Sequence, residues 1–536
     1  MRGNARKASR IAAYVASGAL AITSTILAVT PAEAATHDPI GVNKGATWLQ
    51  GQLTNGVVHN EGEFDFDDIG LTVDFALALD AIGGRDAAVD DIVNTVEPRA
   101  RGEWYTSTFQ GVTTTYVGSV AKALVLAQET GSDPTSFGGT NLVDLLAART
   151  ASAAVIAGRI QNENDNFGDA NTIGQAYAAH GLKTANHAKA TNATNFLLKQ
   201  QCPNGGFRLV FNPSTTAAAQ SCTDNTKAET DATAIAVLQL ASQSGTGTVA
   251  TVIANARAWL RTQQKADGSW GGGPTTQGSN ANSTGLAAQA LGNTVRSENA
   301  ARWLRNHQVT PIDRCNALGG SVGSIAYDDA GRQAGRTEGI TNEASDQWRR
   351  ATAQALPAMQ YLPFVASAPI TLTGPSGFRK AGTSAALTTR GVLGGTQLCL
   401  NGLGLRVRQT PNADPWTKTF TLPAGTANRV YTVRDAYGHA DTATVKVLGK
   451  KTLSVVTSKR QVKRPGQVTA TVSGLTSGEN ARIYYKGVLK RAGTAGALGR
   501  MAATFNVVQS LGTTAVTATG HYPDIRRGAT TIKVVR

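Results

Sequence analysis

At 536 residues the chain is too long for a single hydrophobic core, and three or four domains are expected. Beyond its amino-terminal segment no stretch is apolar and long enough to span a bilayer, which excludes a multi-span membrane protein. The net charge of +15 is unevenly placed: residues 35–368 carry 23 basic and 30 acidic side chains, residues 369–448 nine and three, and residues 449–536 fifteen and two. An acidic body therefore leads into a strongly basic tail, which attracts polyanions through a salt-sensitive field.

In chain order the first element is a targeting segment. Arg2, Arg6, Lys7 and Arg10 precede the apolar run Ile11–Val29, and Ala32-Glu33-Ala34 supplies a small-x-small cleavage pattern. Residues 1–34 read as a signal peptide, with an uncleaved anchor as the competing reading. Export permits disulfides. Cys202 and Cys222 bracket one loop and suit a staple, while Cys315 and Cys399 remain open between a bridge and two buried thiols.

Residues 41–362 then repeat a unit about every fifty positions. It is clearest at Trp259–Trp270 (WLRTQQKADGSW) followed by Asn282–Leu291, and at Phe196–Phe207 (FLLKQQCPNGGF) followed by Glu229–Leu240. An amphipathic helix ends in Gln-Gln, a Gly-rich turn carries an aromatic, and a small-residue helix follows. Six small-residue helices are predicted: Asp68–Leu79, Tyr116–Leu126, Asn171–Leu182, Glu229–Leu240, Asn282–Leu291 and Asn342–Met359. Small residues suit the crowded inside of a ring and charged faces suit its outside, so six hairpins predict an (α/α)6 toroid over residues 35–368. Composition changes near Pro363–Pro369. Short alternating segments separated by Gly, Pro and Asn follow, and they predict two β-sandwich, Ig-like modules at 369–448 and 449–536.

The WLRTQQKADGSWGG stretch resembles the repeat of the prenyltransferase and squalene-cyclase superfamily, across roughly residues 41–360. The segment from Asp346 to Ala355 resembles the last hairpin of exported actinobacterial members. The resemblance implies the toroid, with a Gln capping neighbouring helix ends and the aromatic packed between outer helices. It implies activity only weakly, because one fold hosts terpenoid cyclases, protein prenyltransferases and cobalamin carriers.

Asp65-Phe66-Asp67-Asp68 is similar to the Asp-x-Asp-Asp pattern of class II terpenoid cyclases, in which the middle residue, here Asp67, is the general acid. Clustered carboxylates raise one another's pKa. The competing reading is helix capping, since Asp is favoured at helix N-termini. Few aromatics, a single helical barrel and export count against cyclisation. The Asp, Cys and His zinc site implied for a prenyltransferase has no counterpart here, and no cofactor motif is visible. Asp67, Asp68, Asp169, Glu229, Asp231, Glu343 and Asp346 are expected to line one mouth of the ring. Two such acids would serve glycan cleavage, with Trp104, Tyr105, Tyr177 and Trp348 as sugar platforms. In the tail, Lys459, Arg460, Lys463, Arg464, Lys486, Lys490 and Arg491 are expected to form a patch for an anionic wall polymer, against the alternative of a solubilising face that guards edge strands. Nucleic acid is not the expected partner.

These readings predict a secreted, envelope-associated binding protein, peripheral rather than transmembrane. The toroid would hold an apolar small molecule or a protein, and the basic module would hold the wall. Terpenoid cyclisation through Asp67 is the competing class, ahead of a carbohydrate-active enzyme or a cobalamin-type carrier.

Overall fold

The computed structural model describes residues 37–61, 65–164, 170–216, 219–245, 247–274, 276–364, 368–392, 395–508 and 510–536. Residues 1–34, expected to be a signal peptide, and Asp169 lie outside the described residues. The chain divides into two compact units, Met1–Ala366 and Ser367–Arg536.

The first unit is mainly helical. Asp38 caps the first described helix, Pro39–Gln50, by accepting from the Ile40 amide at 2.8 Å, and Pro39 fills the first turn where no amide is needed. Six helices form an inner series: Ile69–Ile82, Val117–Thr130, Thr172–Thr184, Thr230–Leu240, Ala281–Leu291 and Asn342–Ala355. Each packs against the next, and the last returns to the first, so the circuit is closed. Small residues permit this. A Cβ on Gly174 would stand 2.9 Å from the Gly118 Cα, and one on Gly285 2.5 Å from the Ala355 Cα. The backbones touch where side chains would hold them apart. The helices Asp86–Val96, Leu142–Ala148, Ala190–Leu198, Thr248–Gln263 and Val295–His307 each lie against an inner partner.

The last inner helix is shorter than expected. Pro357 has no amide to donate and crowds the preceding turn, so the α-helix ends at Ala355 and a tighter turn runs over Leu356–Tyr361.

Two devices tie the layers together. The second Gln of each Gln-Gln pair binds two carbonyls: Gln201 Nε2 donates to Gly205 and Val252, and Gln264 Nε2 to Gly268 and Arg296, all at 2.9 Å. Gln308 does the same to Gly323 at 3.0 Å and to Gly41 at 2.8 Å, joining the end of Val295–His307 to Pro39–Gln50. On the inner side, Thr72, Thr233, Thr284 and Thr352 accept the amides of Val58, Phe207, Trp270 and Ile325 at 2.7–3.0 Å. Buried backbone donors in the turns are satisfied there by inner-helix hydroxyls.

The second unit is built of sheets. Trp416–Thr421, Ser384–Arg390 and Thr371–Thr373 form one sheet. Leu405–Gln409, Leu398–Gly402, Ala427–Asp435, Ala440–Leu448 and Phe378–Lys380 form another, and both sheets contribute to a core containing Leu387, Leu400, Tyr431 and Val445. A second pair follows. Lys451–Thr452, Arg526–Val535, Gly512–Thr519, Asn480–Tyr485 and Val488–Thr494 lie in that order, with Gln461–Lys463 also paired to Arg526–Val535. Ser454–Thr457, Gly466–Ser473 and Arg500–Val507 form its partner sheet, and Val468, Ile483, Tyr485 and Val516 lie in the core between.

Cys202 and Cys222 are disulfide-bonded, with Cα atoms 4.7 Å apart. Cys315 and Cys399 also each take part in a disulfide. Among the described residues no helix is long and apolar enough to cross a membrane.

Candidate functional site

The Asp65–Asp68 run enters the first inner helix, and each acid has a different fate. Asp68 is the N-cap of Ile69–Ile82: one carboxylate oxygen accepts from the Leu71 amide at 2.8 Å, and the other takes a 2.6 Å bond from Arg350. Arg350 also holds Asp346 at 2.9 and 3.0 Å, so one guanidinium bridges the first and last inner helices. Asp67 sits on the short strand Phe66–Asp67, opposite His59. It accepts from Arg99 at 2.6 Å and lies 2.8 Å from His59 Nδ1. Asp65 is largely exposed, with His59 Nε2 at 3.2 Å.

This wiring sets the charges. The bond to Asp67 raises the His59 pKa above its ordinary value, with Asp65 and Glu61 adding to it. The bonds from His59 and then Arg99 hold Asp67 below the usual carboxylate range. A carboxyl held low is an anion at neutral pH and has no proton to give.

Asp68 and Asp346 meet at Arg350. Glu229 and Asp231 form a second group, and both are raised, mainly by burial, with Asp231 adding to the rise at Glu229. Ser283 opposes the rise at Asp231 through a hydrogen bond. Glu343 is exposed in the first turn of Asn342–Ala355 and is held low by a backbone amide and Thr341. The caps of three inner helices are Asn171, Asn280 and Thr341 rather than acids.

A cavity of about 470 Å³ lies among the inner helices, lined by Asp74, Trp104, Tyr116, Lys122, Asn162, Asn171, Tyr177 and Gln354, with small and aliphatic residues between them. Lys122 and Asp74 are ion-paired there and only about a fifth exposed. Burial, aided by Asp74, raises the Tyr177 hydroxyl. Of the four expected aromatic platforms, Trp104 and Tyr177 line this cavity, while Tyr105 and Trp348 are buried in the core. Sequence reasoning passed over Lys122, Asp74 and Tyr116. The available signal was a charge inside an otherwise uncharged stretch of each of two inner helices, Asp74 within Ile69–Leu79 and Lys122 within Val117–Gln128.

The seven tail cations are also divided. Lys463 lies in the strand Gln461–Lys463, beside Arg526–Val535, and Lys459, Arg460 and Arg464 flank it. Lys486, Lys490 and Arg491 belong to the hairpin at the opposite edge of the same sheet. Two further strands, Gly512–Thr519 and Asn480–Tyr485, lie between, so the sheet does not join them into one patch. Arg491 donates to the Ala502 carbonyl at 2.6 Å. Among the described residues no group of three His, Cys, Asp or Glu could hold a metal ion.

No family model matches the chain. No curated protein matches it. Solved structures do. A protein from Actinoplanes is 16% identical with a TM-score of 0.41, covering 60% of this chain and 99% of its own. The type II terpene cyclase MstE from Scytonema is 14% identical with a TM-score of 0.41, covering 60% of this chain and 96% of its own. The adhesin InvE of Yersinia pseudotuberculosis is 14% identical with a TM-score of 0.19, covering 31% of this chain and 59% of its own. Likenesses this remote carry no inference about what the present chain does.

Proposed function

We propose that the chain is a secreted, envelope-associated binding protein. Its helical unit is an (α/α)6 toroid that holds a polar, hydroxyl-bearing ligand in its lumen, and its two β-sandwich modules, Ig-like in architecture, end in a basic module that holds an anionic wall polymer. The closed circuit of six inner helices supports the toroid. The disulfides, and the signal-like segment at residues 1–34, support export.

One observation carries the reading of the lumen: the Lys122–Asp74 pair stands in the cavity beside Trp104, Tyr116 and Tyr177. A hydrocarbon entering there would strip water from two charges and return no hydrogen bonds. A hydroxylated ligand replaces that water and stacks on the rings. The apolar occupant expected from sequence is thus the poorer fit. Terpenoid cyclisation through Asp67 is disfavoured by the same logic, because Asp67 is held as an anion.

The test is native mass spectrometry of the mature protein after incubation with a solubilised envelope extract. A retained hydroxyl-rich species that is lost in Lys122→Met supports the reading. An empty wild-type protein, or retention unchanged by the substitution, rejects it. A second reading, glycan cleavage, is favoured by the raised Glu229 and Asp231 carboxyls, which suit a proton donor. It requires new reducing ends in the same extract that disappear with Glu229→Gln.

A further inference from the structure

The last sheet has an outer face that none of the foregoing uses. Ile483, Val516, Ala518, Ile532 and Val534 turn into the core, so the residues alternating with them face outward. Register sets Arg527 beside Thr519, and Thr519 beside Arg482. These two arginines are therefore two strands apart, about 10 Å. The next outward row is Ala529, Thr517 and Tyr484. Lys533 lies opposite Thr513, about 20 Å along the strand from Arg527. Arg482, Arg527 and Lys533 are all exposed.

These cations have no carboxylate of their own module to meet. Residues 449–536 contain two acids, Glu479 and Asp524. Glu479 is fully buried and accepts from the equally buried Arg526 at 2.6 and 2.8 Å. Asp524 is paired with Lys380.

We infer that this open sheet face, rather than the clusters at its two edges, receives a linear phosphodiester polymer. Arg482, Arg527 and Lys533 meet separate phosphates along one chain, and Tyr484 packs against a repeat unit between them. The inference rests on the wall-binding reading above and gives it an address. A flat face rimmed by cations suits an extended chain, and small Thr and Ala side chains let it lie close. Guanidinium forks match phosphate geometry.

The experiment measures affinity of the full-length mature chain for poly(glycerol phosphate) at several salt concentrations. The variants are the triple Arg482→Ala, Arg527→Ala, Lys533→Ala and the quadruple Lys459→Ala, Arg460→Ala, Lys463→Ala, Arg464→Ala, both with wild-type melting temperature. Each lost phosphate contact lowers the slope of log affinity against log salt by about 0.7. The triple should therefore lose about 2, and the quadruple less than 1 although it removes more charge. A quadruple that costs as much as the triple overturns the inference and leaves wall binding standing. Equal affinity for polygalacturonate overturns the phosphodiester assignment. A wild-type chain that binds no polyanion overturns the wall-binding reading itself.

Discussion

His59 and Asp67 hold each other's charge, and that fixes how the entrance to the first inner helix responds to pH. The folded pKa of His59 lies above its ordinary 6.5. Its contribution to stability is therefore fully present below the unfolded value and is lost as pH rises through the raised one. Asp67 is depressed, so its contribution is present above the ordinary carboxylate range and is lost as pH falls through the lowered value. Between the two values both partners are charged and the pair is intact. A proton NMR titration of the His59 ring should give a midpoint above 6.5, and Asp67→Asn should bring it down. A wild-type midpoint at or below the ordinary value, or one indifferent to the substitution, would mean that the pair does not form in solution.

At the scale of elements, glutamines that follow an outer helix and bind two carbonyls tie the helical layers together, and their energetics depend on burial. Gln308 is fully buried and binds the Gly41 and Gly323 carbonyls, besides accepting from Arg305 at 2.7 Å. Truncation takes from both buried carbonyls a donor that water cannot replace. Gln308→Ala should cost about 2–4 kcal/mol. Gln264 makes the equivalent bonds from a half-exposed position, where water can replace it, and Gln264→Ala should cost about 1 kcal/mol. Urea unfolding followed by the helical signal compares them, and equal small losses would remove Gln308 from the closing role. The Gln-Gln pairs were legible in the sequence because they recur, whereas Gln308 follows His307 and was not. The inner-helix threonines were not: Thr72, Thr233, Thr284 and Thr352 look like mere small residues until the turns that donate to them are in place. The edge strands Phe378–Lys380, Leu405–Gln409, Lys451–Thr452, Gln461–Lys463 and Val488–Thr494 also escaped the pattern. They are mostly short and carry charges such as Arg379, Arg406, Lys451 and Lys463, the features that protect an edge and erase the alternating signature of a buried strand.

For the whole molecule, charge placement is legible in sequence, whereas which charges stand together is not. The candidate site shows the same division. The acids at the entrance to the first inner helix were found from their resemblance to an Asp-x-Asp-Asp pattern. Arg99, Arg350, Lys122 and Asp74, which decide what those acids and the lumen can do, come from distant positions and meet only through the fold. The asymmetry between residues 35–368, with 23 basic and 30 acidic side chains, and residues 449–536, with fifteen and two, acts beyond any one contact. At about 0.01 M salt the field of a charged surface reaches about 30 Å, and at 0.15 M only about 8 Å. At low salt the basic module of one copy should therefore be drawn to the acidic unit of another. Sedimentation velocity of the mature chain should show association at 10 mM salt and monomer at 150 mM salt, because screening shortens the field below the distance between approaching surfaces. Adding poly(glycerol phosphate) at the lower salt should dissolve the association by occupying the cations. Monomer at both ionic strengths would show that the two charge fields are too diffuse to attract. Association that survives salt would point instead to an apolar contact between copies, a different surface from any argued above.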